Sequence, residues 1–219
     1  MAKLKNASNY VFRTIIITIV FTLILGTALP CYSAESLKSY EKILQSKDPV
    51  DIMGRTHYYQ QQFPDVYLNN TLEGNGKALS FSGASIIAYT DVLCNMGFDE
   101  TPETIVEYIN SLEDLEIYQG FNEKVFQKIS DKFGICMEFT DEEEHAIQCL
   151  ENGGFVISYQ TSGLFTKSGH YITLCDYYDN TVLVLDSNIY TREMEEDNNF
   201  RFLMDDINDS NYMYICLLK

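Results

Sequence analysis

Apolar residues recur along this chain with two different periods. Between residues 36 and 47, Leu37, Tyr40, Ile43 and Leu44 fall on one stripe, which predicts an amphipathic helix. From Gly83 to Met96 the spacing is again helical, with small residues first and Gly97 as the stop. Thr101-Pro102-Glu103 supplies a cap and then a proline at the first helical position, opening a helix to about Leu112. Another helix is predicted over Phe121 to Phe133, ended by Gly134. Thr140-Asp141-Glu142-Glu143 reads as a capping box for a helix ending near Asn152-Gly153-Gly154. Strand-type runs occupy Ile135 to Phe139, Phe155 to Tyr159, Tyr171 to Tyr177, Thr181 to Leu185 and Tyr212 to Leu218. The polar stretch from Tyr58 to Lys77, with Pro64 and two glycines, reads as an irregular loop. Helices come first and strands follow, so the class is α+β with an antiparallel sheet, not an alternating βαβ chain.

The amino end departs from this pattern. Lys3, Lys5 and Arg13 precede an apolar run from Thr14 to Leu29, then Pro30-Cys31-Tyr32-Ser33-Ala34. A basic start, a short apolar stretch and small residues describe a secretory signal cut near Ser33 or Ala34. A run of sixteen residues falls short of the ~20 that a spanning helix needs, and an uncleaved membrane anchor is the alternative. The expected organisation is a signal at 1–34, an amphipathic helix and linker at 35–56, and one folded domain at 57–219. The expected location is outside the cell or on the outer face of its membrane.

The chain of 219 residues is 46% hydrophobic, enough for one domain with a core. Its net charge is −17; losing three bases and no acids with the signal would leave 32 acids against 12 bases, or −20. Such a surface repels phosphate backbones, which argues against nucleic acid and suits a basic peptide or protein. Six cysteines, five after cleavage and none in CxxC spacing, match neither a disulfide framework nor a zinc site. Asp206, Asn208 and Ser210 imitate a calcium loop, but Asn211 and Leu217 replace its glycine and glutamate. The run Glu193, Glu195, Glu196, Asp197 reads as a solvated loop. No cofactor is implied.

Three segments could carry chemistry. Ser80-Phe81-Ser82-Gly83-Ala84-Ser85 lies where a loop enters a helix, and a nucleophile there gains from the dipole and from free N–H groups, although serines at helix starts also serve as caps. Of the three histidines, His145 sits in an acidic helix and His57 has no evident partner. His170, at a strand entrance after Ser168-Gly169, is best placed as a general base. Asp186-Ser187-Asn188 ends the following strand and could orient an imidazole. The hairpin register decides whether they meet. A two-residue turn at Asp179-Asn180 pairs His170 with Ile189 and turns Asp186 to the opposite face. A three-residue loop at Tyr178-Asp179-Asn180 pairs His170 with Asn188 and makes Asp186 its diagonal neighbour. A triad requires the second register, and a two-residue turn without a bulge would break it.

The order of these segments resembles the papain-like cysteine peptidases related to the bacteriocin leader peptidases (peptidase family C thirty-nine). The resemblance is carried by Phe81-Ser82-Gly83-Ala84-Ser85, Gly153-Gly154-Phe155-Val156-Ile157, Gly163-Leu164-Phe165-Thr166, Gly169-His170-Tyr171-Ile172 and Val184-Leu185-Asp186, over residues 57 to 218. It implies a papain-like fold with Ser82 at the cysteine nucleophile's position, His170 as base and Asp186 as orienting acid. Two departures imply impaired catalysis. A serine hydroxyl forms no thiolate–imidazolium pair. The glutamine that completes the family's oxyanion site six residues upstream is replaced by Gly76, leaving Asn75 and Lys77 as oxyanion candidates; Asn188 is a possible accessory group. Cys94 and Cys175 are too far along the helix, or face the wrong way, to substitute. Three readings follow: a non-catalytic peptidase homologue that binds a peptide or protein in the old cleft; an active hydrolase using Ser82, His170 and Asp186; and an exported α+β protein whose cleft is filled, for instance by Phe81 or Phe165.

Overall fold

The computed structural model describes residues 34–69, 76–112 and 123–219. Residues 1–33 of the expected signal, and Asn75, lie outside the described residues. The chain divides into two compact units, residues 1–42 and 43–219. Helix α1 (Ala34–Leu44) carries the described part of the first, where the apolar stripe placed it.

The second unit begins with a ribbon of β1 (Val50–Ile52) and β2 (Arg55–His57). The stretch expected to be an irregular loop contains two short regular pieces. A 3₁₀ turn spans Gln60–Gln62, and β3 (Tyr67–Leu68) pairs with β4 (Lys77–Ala78). A one-turn helix α2 (Leu79–Ser82) then leads through Gly83 into α3 (Ala84–Asn95). Gly83 is obligatory here, because a Cβ on it would lie 2.4 Å from the Leu79 carbonyl oxygen.

Every residue of α3 from Ile86 to Leu93 is buried, Thr90 and Asp91 included, so this largely apolar helix is covered on all sides and central. Helix α4 (Pro102–Ser111) starts as predicted, Thr101 accepting the Thr104 N–H ahead of Pro102. Helix α5 (Glu123–Phe133) and β5 (Cys136–Thr140) follow. The expected capping box at Thr140 does not form. Thr140 is the last residue of β5, its hydroxyl takes the Glu142 N–H, and α6 (Glu143–Glu151) begins after Glu142 without a side-chain cap.

The remaining strands are β6 (Phe155–Gln160), β7 (His170–Tyr178), β8 (Thr181–Asp186), β9 (Arg201–Leu203) and β10 (Asn211–Leu218). With β5 they form a six-stranded antiparallel sheet in the order β5-β10-β6-β7-β8-β9. Its central strands are nearly continuous apolar runs because both faces are covered. Ile157, Tyr171, Cys175, Leu185 and Ile215 join a core with α3, α4 and α5. Val156, Ile172, Leu174, Val184 and Tyr214 join a second core with α6 and with α8 (Met204–Asn208). The fold is α+β, helices packed on an antiparallel sheet. The acidic run is not a loop: it forms α7 (Arg192–Asp197), with Glu195 completely buried. Helical spacing turns one acid of the run inward.

The β7–β8 hairpin corrects the expected loop while keeping the register that the triad needs. Tyr178 pairs with Thr181, so the turn has two residues, Asp179 and Asn180, both at positive φ (50° and 58°). Further in, Cys175 pairs with Leu183, leaving Asp176 and Tyr177 opposite Val182 alone. This bulge, with Asp176 at φ 49°, slips the register by one residue and sets Ile172 opposite Asp186. Arg55 holds the Asp176 carboxylate through two hydrogen bonds, and Arg201 donates to the Asp176 carbonyl at 3.0 Å.

Candidate functional site

His170 opens β7 directly after Gly169, whose φ of 115° suits only glycine and whose missing Cβ would meet the Tyr159 hydroxyl at 2.8 Å. The His170 Nε2 lies 2.5 Å from Asp186 Oδ1, and the ring is 9% exposed. Asp186 is wholly buried and fully occupied. Oδ1 also accepts the Asn188 N–H at 2.8 Å, and Oδ2 accepts the Thr191 hydroxyl at 2.8 Å. Its own N–H donates to Glu195 Oε1 at 3.1 Å, and its carbonyl accepts from His57 Nε2 at 3.0 Å. Burial of the His170 ring opposes its charged form, yet the charge and hydrogen bond of Asp186 outweigh burial and leave the imidazole above its ordinary value of 6.5. Burial, and then the charge of Asp186, hold the Glu195 carboxyl well above its ordinary 4.5.

Ser82 is exposed at the end of α2, and its hydroxyl donates to the Ala78 carbonyl at 3.4 Å, one turn back. Among the described residues no hydrogen bond joins Ser82 to His170. His170 is in line with Ile172 and Leu174, on the face covered by α6 and α8. Helix α3 lies on the other face, where Thr173 donates to the Ala88 carbonyl at 3.2 Å. Phe81 stands 87% exposed and Phe165 is buried against Phe202.

Of the oxyanion candidates, Lys77 is half-buried in β4. Asn188 caps the 3₁₀ turn Ile189–Thr191, its side chain accepting the Tyr190 N–H and a donor from Gln61. Sequence reasoning missed Gln60. Its main-chain N–H donates to the Ser187 carbonyl at 2.8 Å, and its side-chain amide donates to the Ser80 carbonyl at 3.4 Å. Gln60 thus bridges the helix tip to the residues following Asp186. The signal was the run Gln60-Gln61-Gln62, sited upstream of the position that a fixed six-residue spacing indicates.

No protein-family model matches this chain, and no curated protein matches it. Among solved structures, it is similar to the peptidase domain of Streptococcus ComA, a bifunctional ABC transporter involved in quorum sensing. Identity is 12% over 63% of this chain and 92% of that one, with a TM-score of 0.45. It is also similar to a Bacillus anthracis protein assigned as a C39-like peptidase, at 9% identity over 63% and 89% of the two chains and a TM-score of 0.45. At these values the fold class rests on the chain's own helices and strands.

A second histidine also belongs to this region. His57, expected to lack a partner, is completely buried with Nδ1 2.6 Å from Asp91 Oδ2. Asp91 lies on α3, and its Oδ1 accepts the Tyr58 N–H at 3.0 Å. The five described cysteines are free thiols; Cys136 is exposed, Cys94 partly buried, and Cys149, Cys175 and Cys216 buried. Among the described residues no group of three or more His, Cys, Asp or Glu could hold a metal ion, and no helix is long and apolar enough to cross a membrane.

Proposed function

We propose that this chain is an exported, C39-like homologue of the papain-type peptidases, with Ser82 in the nucleophile position. Its catalysis is impaired, and it binds a peptide or protein in the former substrate cleft. One observation carries the reading. The His170 Nε2 is committed to a buried carboxylate and its Nδ1 has no hydrogen bond among the described residues, while the Ser82 hydroxyl is spent on the Ala78 carbonyl. That is the acid–base half of an acyl-transfer site without an engaged nucleophile. Gln60, reaching the helix tip, stands in for the family's oxyanion glutamine. The surplus of acids favours a basic ligand.

The test is active-site labelling. A fluorophosphonate or peptide-aldehyde probe should leave the native protein unlabelled, whereas Ser82→Cys should gain a thiol that reacts with an electrophilic peptide and loses that reactivity in Ser82→Cys/His170→Ala. Labelling of the native protein that disappears in Ser82→Ala would replace this reading with an active serine hydrolase.

A further inference from the structure

The most deeply buried ionisable cluster outside the His170–Asp186 pair is His57 with Asp91, both with no exposure. Three hydrogen bonds define the arrangement. Nδ1 of His57 faces Asp91 Oδ2 at 2.6 Å, Nε2 faces the Asp186 carbonyl at 3.0 Å, and Asp91 Oδ1 takes the Tyr58 N–H at 3.0 Å. A carbonyl oxygen can only accept, so Nε2 must carry a proton. A second proton lies between Nδ1 and the carboxyl oxygen. Whichever atom holds it, the pair is neutral as a whole, which a fully buried site tolerates far better than a lone charge. The ring cannot turn freely: Tyr59 packs edge-on against it at 4.5 Å between centroids.

We propose that His57 and Asp91 are positioning residues for the His170–Asp186 pair, the His57 ring holding the Asp186 main-chain carbonyl and Asp91 holding the ring. The inference rests on reading His170–Asp186 as the acid–base half of the site, and is indifferent to whether Ser82 reacts. Asp186 is the last residue of β8, where pairing with β7 gives out, so its peptide planes need other anchors. Glu195 from α7 anchors the N–H on one side and His57 from β2 anchors the carbonyl on the other. With both planes held, the carboxylate leaves the main chain in one direction, toward His170, Asn188 and Thr191. Releasing the carbonyl lets its plane turn and swings the carboxylate off the imidazole. The ionisable groups around Asp186 are then His57 on β2, Tyr59 just after it, Asp91 on α3, His170 on β7, and Glu195 and Arg192 on α7. Arg192 is turned to the Tyr59 hydroxyl at 2.8 Å.

Two amide substitutions separate positioning from simple packing. His57→Gln puts an N–H where Nε2 was and keeps the bond to the carbonyl; His57→Asn keeps a group facing Asp91 and loses that bond. Both bury an amide in the same place, so both should lower the melting temperature. The ring titration of His170, followed by NMR in the intact protein, should fall by about one pH unit in His57→Asn and stay near the native value in His57→Gln. Equal midpoints in both variants, shifted or not, would overturn the proposal. Should either variant fail to fold, the native protein decides: the His57 Nε2 proton should be visible and protected from solvent exchange, and a rapidly exchanging one would overturn the proposal. Failure of Ser82→Cys to react leaves these readouts intact, so the two readings fail separately.

Discussion

Asp186 accepts or donates five hydrogen bonds, to His170, Asn188, Thr191, Glu195 and His57. Replacing it with Asn keeps the shape and removes the charge that holds the His170 imidazole above its ordinary value. In Asp186→Asn the His170 midpoint should drop by about 1–3 pH units by NMR titration, and an unchanged midpoint would show that the carboxylate is not its partner. Thiol reactivity gives a second check at this scale. Cys136 is exposed, whereas burial pushes the Cys94 thiol up to about 11. Among the described cysteines, Cys136 alone should react quickly with a disulfide reagent at neutral pH, and Cys136→Ser should abolish that phase. His170 and Asp186 could be picked from the sequence because one opens and the other closes a recognisable strand. The His57–Asp91 pair was not, since its members are 34 residues apart and on different elements. A clue was present: an acid inside a largely apolar helix must have a partner.

The hairpin shows how element-level reading succeeded in register and failed in detail. Apolar runs located both strands, and the Asp179-Asn180 turn was legible from its residue types. The compensating bulge was not, because Asp176 is polar within an apolar strand and only the arginines from β2 and β9 explain why it turns out. Asn180 sits at φ 58°, so Asn180→Gly should relieve left-handed strain and stabilise the protein by about half a kcal/mol, read from urea unfolding; its weak 3.4 Å contact with the Tyr177 hydroxyl is a small loss. A clear destabilisation would mean that the turn is not of the two-residue kind. The acidic segment of α7 misled for a related reason: charge density suggested solvent, while helical spacing buried one residue in four or five.

For the molecule as a whole, three buried groups share one direction of proton linkage. Asp91, His170 and Glu195 each hold their proton more tightly folded than unfolded. A raised folded value means that the native state binds more protons, so this stability is complete below the ordinary value and drains away as pH climbs through the raised one. The windows open at the ordinary values of 3.8 for Asp91, 4.5 for Glu195 and 6.5 for His170. Self-repulsion of a chain at −17 acts in the same sense. The protein should melt at a higher temperature near about pH 6 than near about pH 9. Glu195→Gln, which keeps an acceptor for the Asp186 N–H, should narrow that gap; a gap unchanged in Glu195→Gln would place the loss elsewhere. The α+β plan was legible at this scale because periodicity reports burial directly. The opposite faces of the sheet occupied by His170 and α3 were not, since strand alternation gives parity but not which layer lies above.

The bulge at Asp176 makes the hairpin a counting device. Sixteen steps of chain from His170 to Asp186 become two steps across the sheet only because one residue is left unpaired. An insertion at the tip merely lengthens the turn, whereas deleting one bulge residue would reverse odd and even along the strand and turn the acid to the far side. A deletion three residues below the apex should therefore cost the His170–Asp186 contact, whereas an insertion at the apex should spare it.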